Sequence, residues 1–307
     1  MKTIIATNDN INEVVKSEIE RLGNDADLNH IDVSGVTNME GLFRNSKFNG
    51  DISKWDVSSV EFMQEMFYGS NFNGDISNWD VSNVVDMSCM FAISPFNQDI
   101  SNWNVSKVKN MNSMFSQTPY KLEDSFNQDI SNWNVSNVTD MCGMFQYSQF
   151  NQDISNWDVS NVENMGWMFY DSPFNQDISN WDVGNVKNMS YMFKNSKFNQ
   201  NISKWNVSNV ENMSFMFYGS KFNQDISKWD VSNVENMYGM FSNSKFNQDI
   251  SNWNINLKKL KEKPDDFNNN NKFIKSLFKA YVYKNKNDID NLSRKVYINH
   301  IRKRLKI

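Results

Sequence analysis

The chain has 307 residues but only two cysteines, two histidines and four prolines. It also has no uninterrupted apolar run near 18 residues, and its mean hydropathy is −0.66. The last two features predict no transmembrane helix. The first twenty residues offer a four-residue apolar burst before Asn8 and Asp9, which predicts no secretory signal. Two thiols, Cys89 and Cys142, cannot make a disulfide framework or a structural zinc site and read as incidental thiols suited to a reducing interior. His30 and His300 have no serine, cysteine or carboxylate grouped with them in the manner of a triad or a zinc centre. No glycine-rich loop of the phosphate-cradling kind is present. The expectation is a non-enzymatic protein with no catalytic residue, no cofactor and no metal.

Charge is present but unevenly placed. Residues 1–256 carry a formal net charge of −15 and residues 257–307 carry +10, so an acidic body bears a basic tail.

Tryptophan sets a period. Trp55, Trp79, Trp103, Trp133, Trp157, Trp181, Trp205, Trp229 and Trp253 are spaced by 24 residues, except for the 30 between Trp103 and Trp133. A six-residue insertion near 118–125 accounts for the exception, within "SQTPYKLEDSF". Nine units run from Asp27 to Gln248, and a tenth begins at Asp249 and dissolves after Ile255. A period of this length is the signature of a solenoid, in which each unit buries its apolar edge only against its neighbours.

Within Phe150 to Phe174 the apolar positions are Ile154, Trp157, Val159, Val162, Met165, Met168, Phe169 and Phe174. Trp157 and Val159, two apart, predict a short strand with Asn156, Asp158 and Ser160 outward. The 3, 3, 1 spacing from Val162 to Phe169 predicts a two-turn helix capped by Ser160 or Asn161. The expected fold is therefore an α/β repeat solenoid, a leucine-rich-repeat-like stack of short parallel strands and short helices. The motif "FNQDISNWDVSNVxxMxxMF", covering about Asp27 to Ile255, resembles the BspA-like leucine-rich-repeat surface proteins and the related repeat of mycoplasma lipoproteins. That resemblance implies a parallel-stranded solenoid used in adhesion and protein binding, often at the cell surface. The missing signal peptide and lipidation cysteine instead predict a cytoplasmic location in the producing or host cell, or association with a particle if the source is viral.

Asp153 and Asp158 have the look of a glycosidase acid and base pair. Both recur in columns that interchange with asparagine, as at Asn201, Asn104, Asn134, Asn206 and Asn254. Asparagine cannot act as a general acid, but it can replace aspartate in an Asx-turn or in a hydrogen-bonding ladder. The columns therefore read as structural. Calcium coordination by stacked aspartates is the alternative, although the spacing of a calcium loop is missing. The methionine columns belong to the core.

Recognition is expected where the units differ. Between the two methionines, one position runs Glu65, Cys89, Ser113, Gly143, Trp167, Tyr191, Phe215, Gly239. On a helix Trp167 would lie about 200° from Met165 and face away from the core. Trp167, Tyr191 and Phe215 then form an exposed aromatic strip, joined by Tyr170, Tyr218 and Tyr238, whose alternatives are a protein-docking patch and packing against a loop or tail. Tyr120 and Leu122 in the insertion are further candidate anchors.

Residues 1–26 read as a cap, with a strand at Thr3 to Ala6 and a helix from Asn10 to Leu22. Residues 256–307 read as a linker followed by two helices and a basic end with Arg302, Lys303, Arg304 and Lys306. The sequence thus predicts a scaffold for protein interaction or adhesion with a protein partner. The alternative is a tether that grips an anionic surface or nucleic acid through the basic tail, with the solenoid as spacer.

Overall fold

The computed structural model describes residues 2–120, 125–256 and 259–260. Leu122 and the whole basic end, Arg302, Lys303, Arg304 and Lys306, lie outside the described residues. Residues 27–255 form a repeat solenoid in which each 24-residue unit is one coil, and equivalent residues of successive coils stand in columns.

The coils are built from turns, not from the expected strand and helix. Between Met165 and Ser172 no amide reaches back four residues. Met168 donates to the Met165 carbonyl at 3.4 Å, Tyr170 to Trp167 at 3.0 Å and Ser172 to Phe169 at 3.3 Å, closing three turns in succession. The alternate amides of Met165, Trp167, Phe169 and Asp171 point along the solenoid axis and donate to Asn188, Ser190, Met192 and Lys194 of the next coil at 2.8–3.0 Å. Trp167 (φ 61°) and Asp171 (φ 53°) are left-handed, a conformation that no right-handed helix contains. The expected strand is likewise two further turns, Ile154 to Trp157 and Val159 to Val162, separated by Asp158. From the second coil to the ninth, parallel bridging occurs once between successive coils, as at Asn164 with Asn188.

Stacking geometry explains the departure. Coils joined by backbone hydrogen bonds stand ~4.8 Å apart, whereas a helix with its side chains is about 10 Å wide. A helix in each coil would wedge the coils apart on that side, and the axial hydrogen bonds there would be lost. Succeeding turns keep the coil one residue thick. The 3, 3, 1 spacing survives because a turn, like a helix, returns every third or fourth residue to the same side. Val162, Met165, Met168 and Phe169 are all buried.

The core is two stacks of phenylalanine beside one of tryptophan. Phe145, Phe169 and Phe193 follow each other at 5.8 Å between ring centroids, Phe150, Phe174 and Phe198 at 6.3 Å, and the two stacks touch at 4.0 Å between Phe169 and Phe174. Each tryptophan makes its indole N–H part of the stacking. Trp157 Nε1 donates to the Ile130 carbonyl of the preceding coil at 3.1 Å, and Trp181 repeats this to Ile154 at 3.1 Å. The Ile154 carbonyl also accepts the Trp157 amide at 3.2 Å, so both its lone pairs are used. The insertion leaves the stack intact. Gln117 before it donates its amide to Gln146, and Phe126 after it occupies the phenylalanine column between Phe96 and Phe150.

The aspartate columns are spent on turns. Asp153 Oδ1 accepts the Ser155 amide at 2.9 Å, and Asp158 Oδ1 accepts both the amide and the hydroxyl of Ser160, at 3.1 and 2.6 Å. In the asparagine versions Asn206 Oδ1 takes the same two bonds from Ser208. A separate asparagine column runs along the axis, with Asn151 Oδ1 accepting the Asn175 amide at 2.9 Å and Asn175 that of Asn199 at 2.8 Å. Ser160 and Asn161, expected as helix caps, instead complete the Asx-turn and bond the Ser136 carbonyl of the previous coil through Asn161 Nδ2.

At the N-terminal end, β1 (Ile4–Ile5) pairs in parallel with β2 (Ile31–Asp32) of the first coil, and α1 (Ile11–Leu22) lies over that end with Ile11 and Val15 buried. Among the described residues α1 is the one α-helix. His30 sits under α1. Its Nε2 is 2.7 Å from Glu18 Oε2, and Arg21 pairs with the same carboxylate. The Arg21 and then the His30 hydrogen bonds lower the Glu18 pKa to about 2. A carboxylate depressed in the folded state stabilises it above the ordinary value of 4.5, and that contribution is lost as pH falls towards 2.

Two outcomes follow from these features. In chemical denaturation across that pH window, Glu18→Gln should flatten the acid limb of the stability profile; an unchanged limb would contradict the pairing. Ser113, at φ 54°, separates turn from helix. Ser113→Gly should be more stable than Ser113→Ala by ~1 kcal/mol, because only glycine enters the left-handed region without strain. In a helix the order would reverse by about the same amount.

Candidate docking surface

The left-handed turn residue between the two methionines of each coil cannot point inward. In coils such as that of Trp167 it directly precedes one buried methionine and lies two residues after another, and its side chain is thrown to the surface. This column is Gly41, Glu65, Cys89, Ser113, Gly143, Trp167, Tyr191, Phe215 and Gly239, and every member has a positive φ between 54° and 64°. Glycine occupies three of the nine places, so the fold makes no demand for a side chain here.

Three consecutive coils nevertheless carry large aromatics. Trp167 stacks on Tyr191 at 4.0 Å between centroids with 12° between ring planes, and Tyr191 on Phe215 at 4.8 Å and 26°. Tyr170 meets Trp167 edge-on at 5.1 Å, while Tyr218 and Tyr238 meet Phe215 edge-on at 5.7 and 4.9 Å. Phe215 leans over Gly239, whose missing side chain makes room: a Cβ there would fall 2.7 Å from the ring. All six rings are partly exposed. A bulky residue held left-handed costs about 1–2 kcal/mol, while a stacked pair returns about 0.5–1.5 kcal/mol. Stacking thus offsets the strain without giving a clear stability gain over the glycine found elsewhere in the column.

The structure therefore brings Trp167, Tyr191, Phe215, Tyr170 and Tyr218 into one patch. The reason is left-handed turns and not the outer face of a helix. Tyr120 stands apart on the insertion, 94% exposed, with no ring contact to the patch among the described residues. Two members escaped the sequence reading. Tyr147 donates its hydroxyl hydrogen to the Tyr170 hydroxyl at 2.9 Å, and burial followed by this bond raises the Tyr170 pKa. Lys194 places its ammonium over Tyr170, Tyr191, Phe215 and Tyr218 at 5.0–5.7 Å from their centroids, each a cation–π contact. The available signal was its place three residues after Tyr191, in the column of Tyr170 and Tyr218.

The two thiols near this face are chemically quiet. Burial raises the pKa of Cys89, in the column of Trp167, and burial followed by the charge of Asp140 pushes Cys142 up to about 11. Maleimide labelling of the folded chain near neutral pH should be at least about tenfold slower than that of a free thiol. Labelling at the free-thiol rate would show that the coils open.

Comparison with known proteins places the repeat. A family model described as Mycoplasma protein of unknown function, DUF285, matches residues 10–124, 118–197 and 172–281, which follow one another across the solenoid. No curated protein and no solved structure matches the chain. With tandem matches over most of its length, the chain belongs to this family of Mycoplasma repeat proteins of unknown function.

Proposed function

We propose that the protein is a non-catalytic scaffold that recognises another protein through the aromatic patch centred on Trp167, Tyr191 and Phe215. The observation that carries this reading is the placement of three bulky rings, partly exposed and on adjacent coils, at a left-handed position that glycine fills in other coils. Strained side chains that the fold does not require are a mark of function. Aromatics exposed in one contiguous patch are the usual anchors of protein interfaces.

A hydrolytic role has little support beside this. The carboxylates that suggest one recur coil after coil, are interchanged with asparagine, and are engaged by serine amides and hydroxyls. The finer likeness to BspA-like leucine-rich-repeat adhesins belongs to the same proposal. It agrees with the repeat motif and with a solenoid that exposes one variable face, and it makes adhesion the form that recognition takes. The flat coils of turns differ from the helix-bearing coils that the 3, 3, 1 spacing predicts.

The test is affinity capture from the producing cells with the full chain and with Trp167→Ala/Tyr191→Ala/Phe215→Ala. A defined protein should be retained by the first and lost, by about tenfold or more, from the second. Equal capture by both, with the variant still folded by its thermal transition, would exclude the patch.

A further inference from the structure

The aromatic patch has two unlike margins. On the side preceding it around the coil stand Glu163, Glu211 and Glu235, with Lys187 paired to Glu163 at 2.7 Å. On the side following it, Lys197, Lys221 and Lys245 occupy one column in three consecutive coils, each exposed, and none forms an ion pair among the described residues. The same column holds Lys47, Asn71, Pro95, Ser125, Gln149 and Pro173 in the preceding coils, so the run of three lysines begins one coil after Trp167 and continues alongside Tyr191 and Phe215. Three ammonium groups stacked at ~4.8 Å repel one another, and no carboxylate among the described residues pairs with them directly. The aspartate column four residues further on is neutral at Asn201, after Lys197, and keeps its charge at Asp225 and Asp249, after Lys221 and Lys245. A body of net charge −15 thus carries a cationic file along its aromatic patch.

We infer that the occupant of this surface is an extended polypeptide segment with acidic side chains, lying along the solenoid axis with its carboxylates on Lys197, Lys221 and Lys245 and an apolar or aromatic side chain against the exposed ring edges. This deepens the protein-recognition reading above and rests on it. Trp167, Tyr191 and Phe215 spend ring faces on each other, and ring edges, the positive side of the aromatic quadrupole, favour carboxylate and carbonyl oxygens. Single-stranded nucleic acid needs open ring faces on which bases stack, and a duplex brings a dense polyanion against the acidic body. A peptide can confine its charge to the lysine file. Three coils span ~10 Å, the length of about three extended residues, so two alternate carboxylates fit within the reach of flexible lysine side chains.

The experiment pans a phage-displayed library of random dodecapeptides on the immobilised full chain, on Lys197→Glu/Lys221→Glu/Lys245→Glu, on the milder Lys197→Gln/Lys221→Gln/Lys245→Gln, and on the triple aromatic variant described above. Thermal transitions check that each is folded. The expected result is enrichment of acidic peptides by the wild type and a loss of affinity of about tenfold or more in both lysine variants, with the deficit shrinking as salt is raised. Acidic peptides retained equally by the lysine variants would be binding elsewhere, the basic end included, and would overturn the inference. A neutral or basic enriched pool, or no enriched pool, would overturn it too. So would an oligonucleotide of thymidines that binds through the lysine file where acidic peptides do not. Peptides lost from the aromatic variant but kept by the lysine variants would sink the acidic partner and leave the aromatic patch standing.

Discussion

The axial hydrogen bond between coils sets the terms for the rest of the molecule. Once Met165, Trp167, Phe169 and Asp171 donate to the carbonyls of the next coil, the spacing of the coils is that of a β-sheet, and nothing thicker than one residue can be accommodated. Alternate amides must then find acceptors inside the coil, and a succession of tight turns supplies them. The left-handed residues follow from those turns. The side chains available for recognition are the ones these residues throw outward.

The same constraint explains the sequence's repetitiveness. Stacking in register places identical side chains on top of one another, so each position must tolerate a copy of itself about 5 Å away. Phenylalanine does so by ring stacking, asparagine by accepting its successor's amide, and tryptophan by donating to the isoleucine carbonyl one coil back. Aspartate is tolerated because the serine two residues on satisfies it and because asparagine interrupts its columns. Lys197, Lys221 and Lys245 stand out from the pattern because no ion pair among the described residues engages them.

Much of this was legible in the sequence. The 24-residue tryptophan period pointed to the solenoid, and the alternation of aspartate with asparagine pointed to an Asx-turn or a hydrogen-bonding ladder. Trp167, Tyr191 and Phe215 stood out because they vary where the rest repeats. The helix was misread because an inward pattern of 3, 3 and 1 is common to a helix and to chained turns, and only the coil spacing separates them. Glycine, serine, cysteine and glutamate in the column of Trp167 carry no clear left-handed signal as a set, so the backbone conformation there was hidden. His30 and Lys194 were missed because their partners, Glu18 and the rings of neighbouring coils, lie 12 or more residues away or belong to another column.

The most direct test of the account is a measurement of scalar couplings across hydrogen bonds by NMR on the isotope-labelled chain. Correlations linking the Trp167 amide nitrogen to the Ser190 carbonyl carbon, and Phe169 to Met192, are the predicted result, because each amide pairs with the next coil. Correlations from Phe169 to Met165, four residues back in the same coil, would place a helix there and contradict the stack of turns on which the exposed aromatic patch depends.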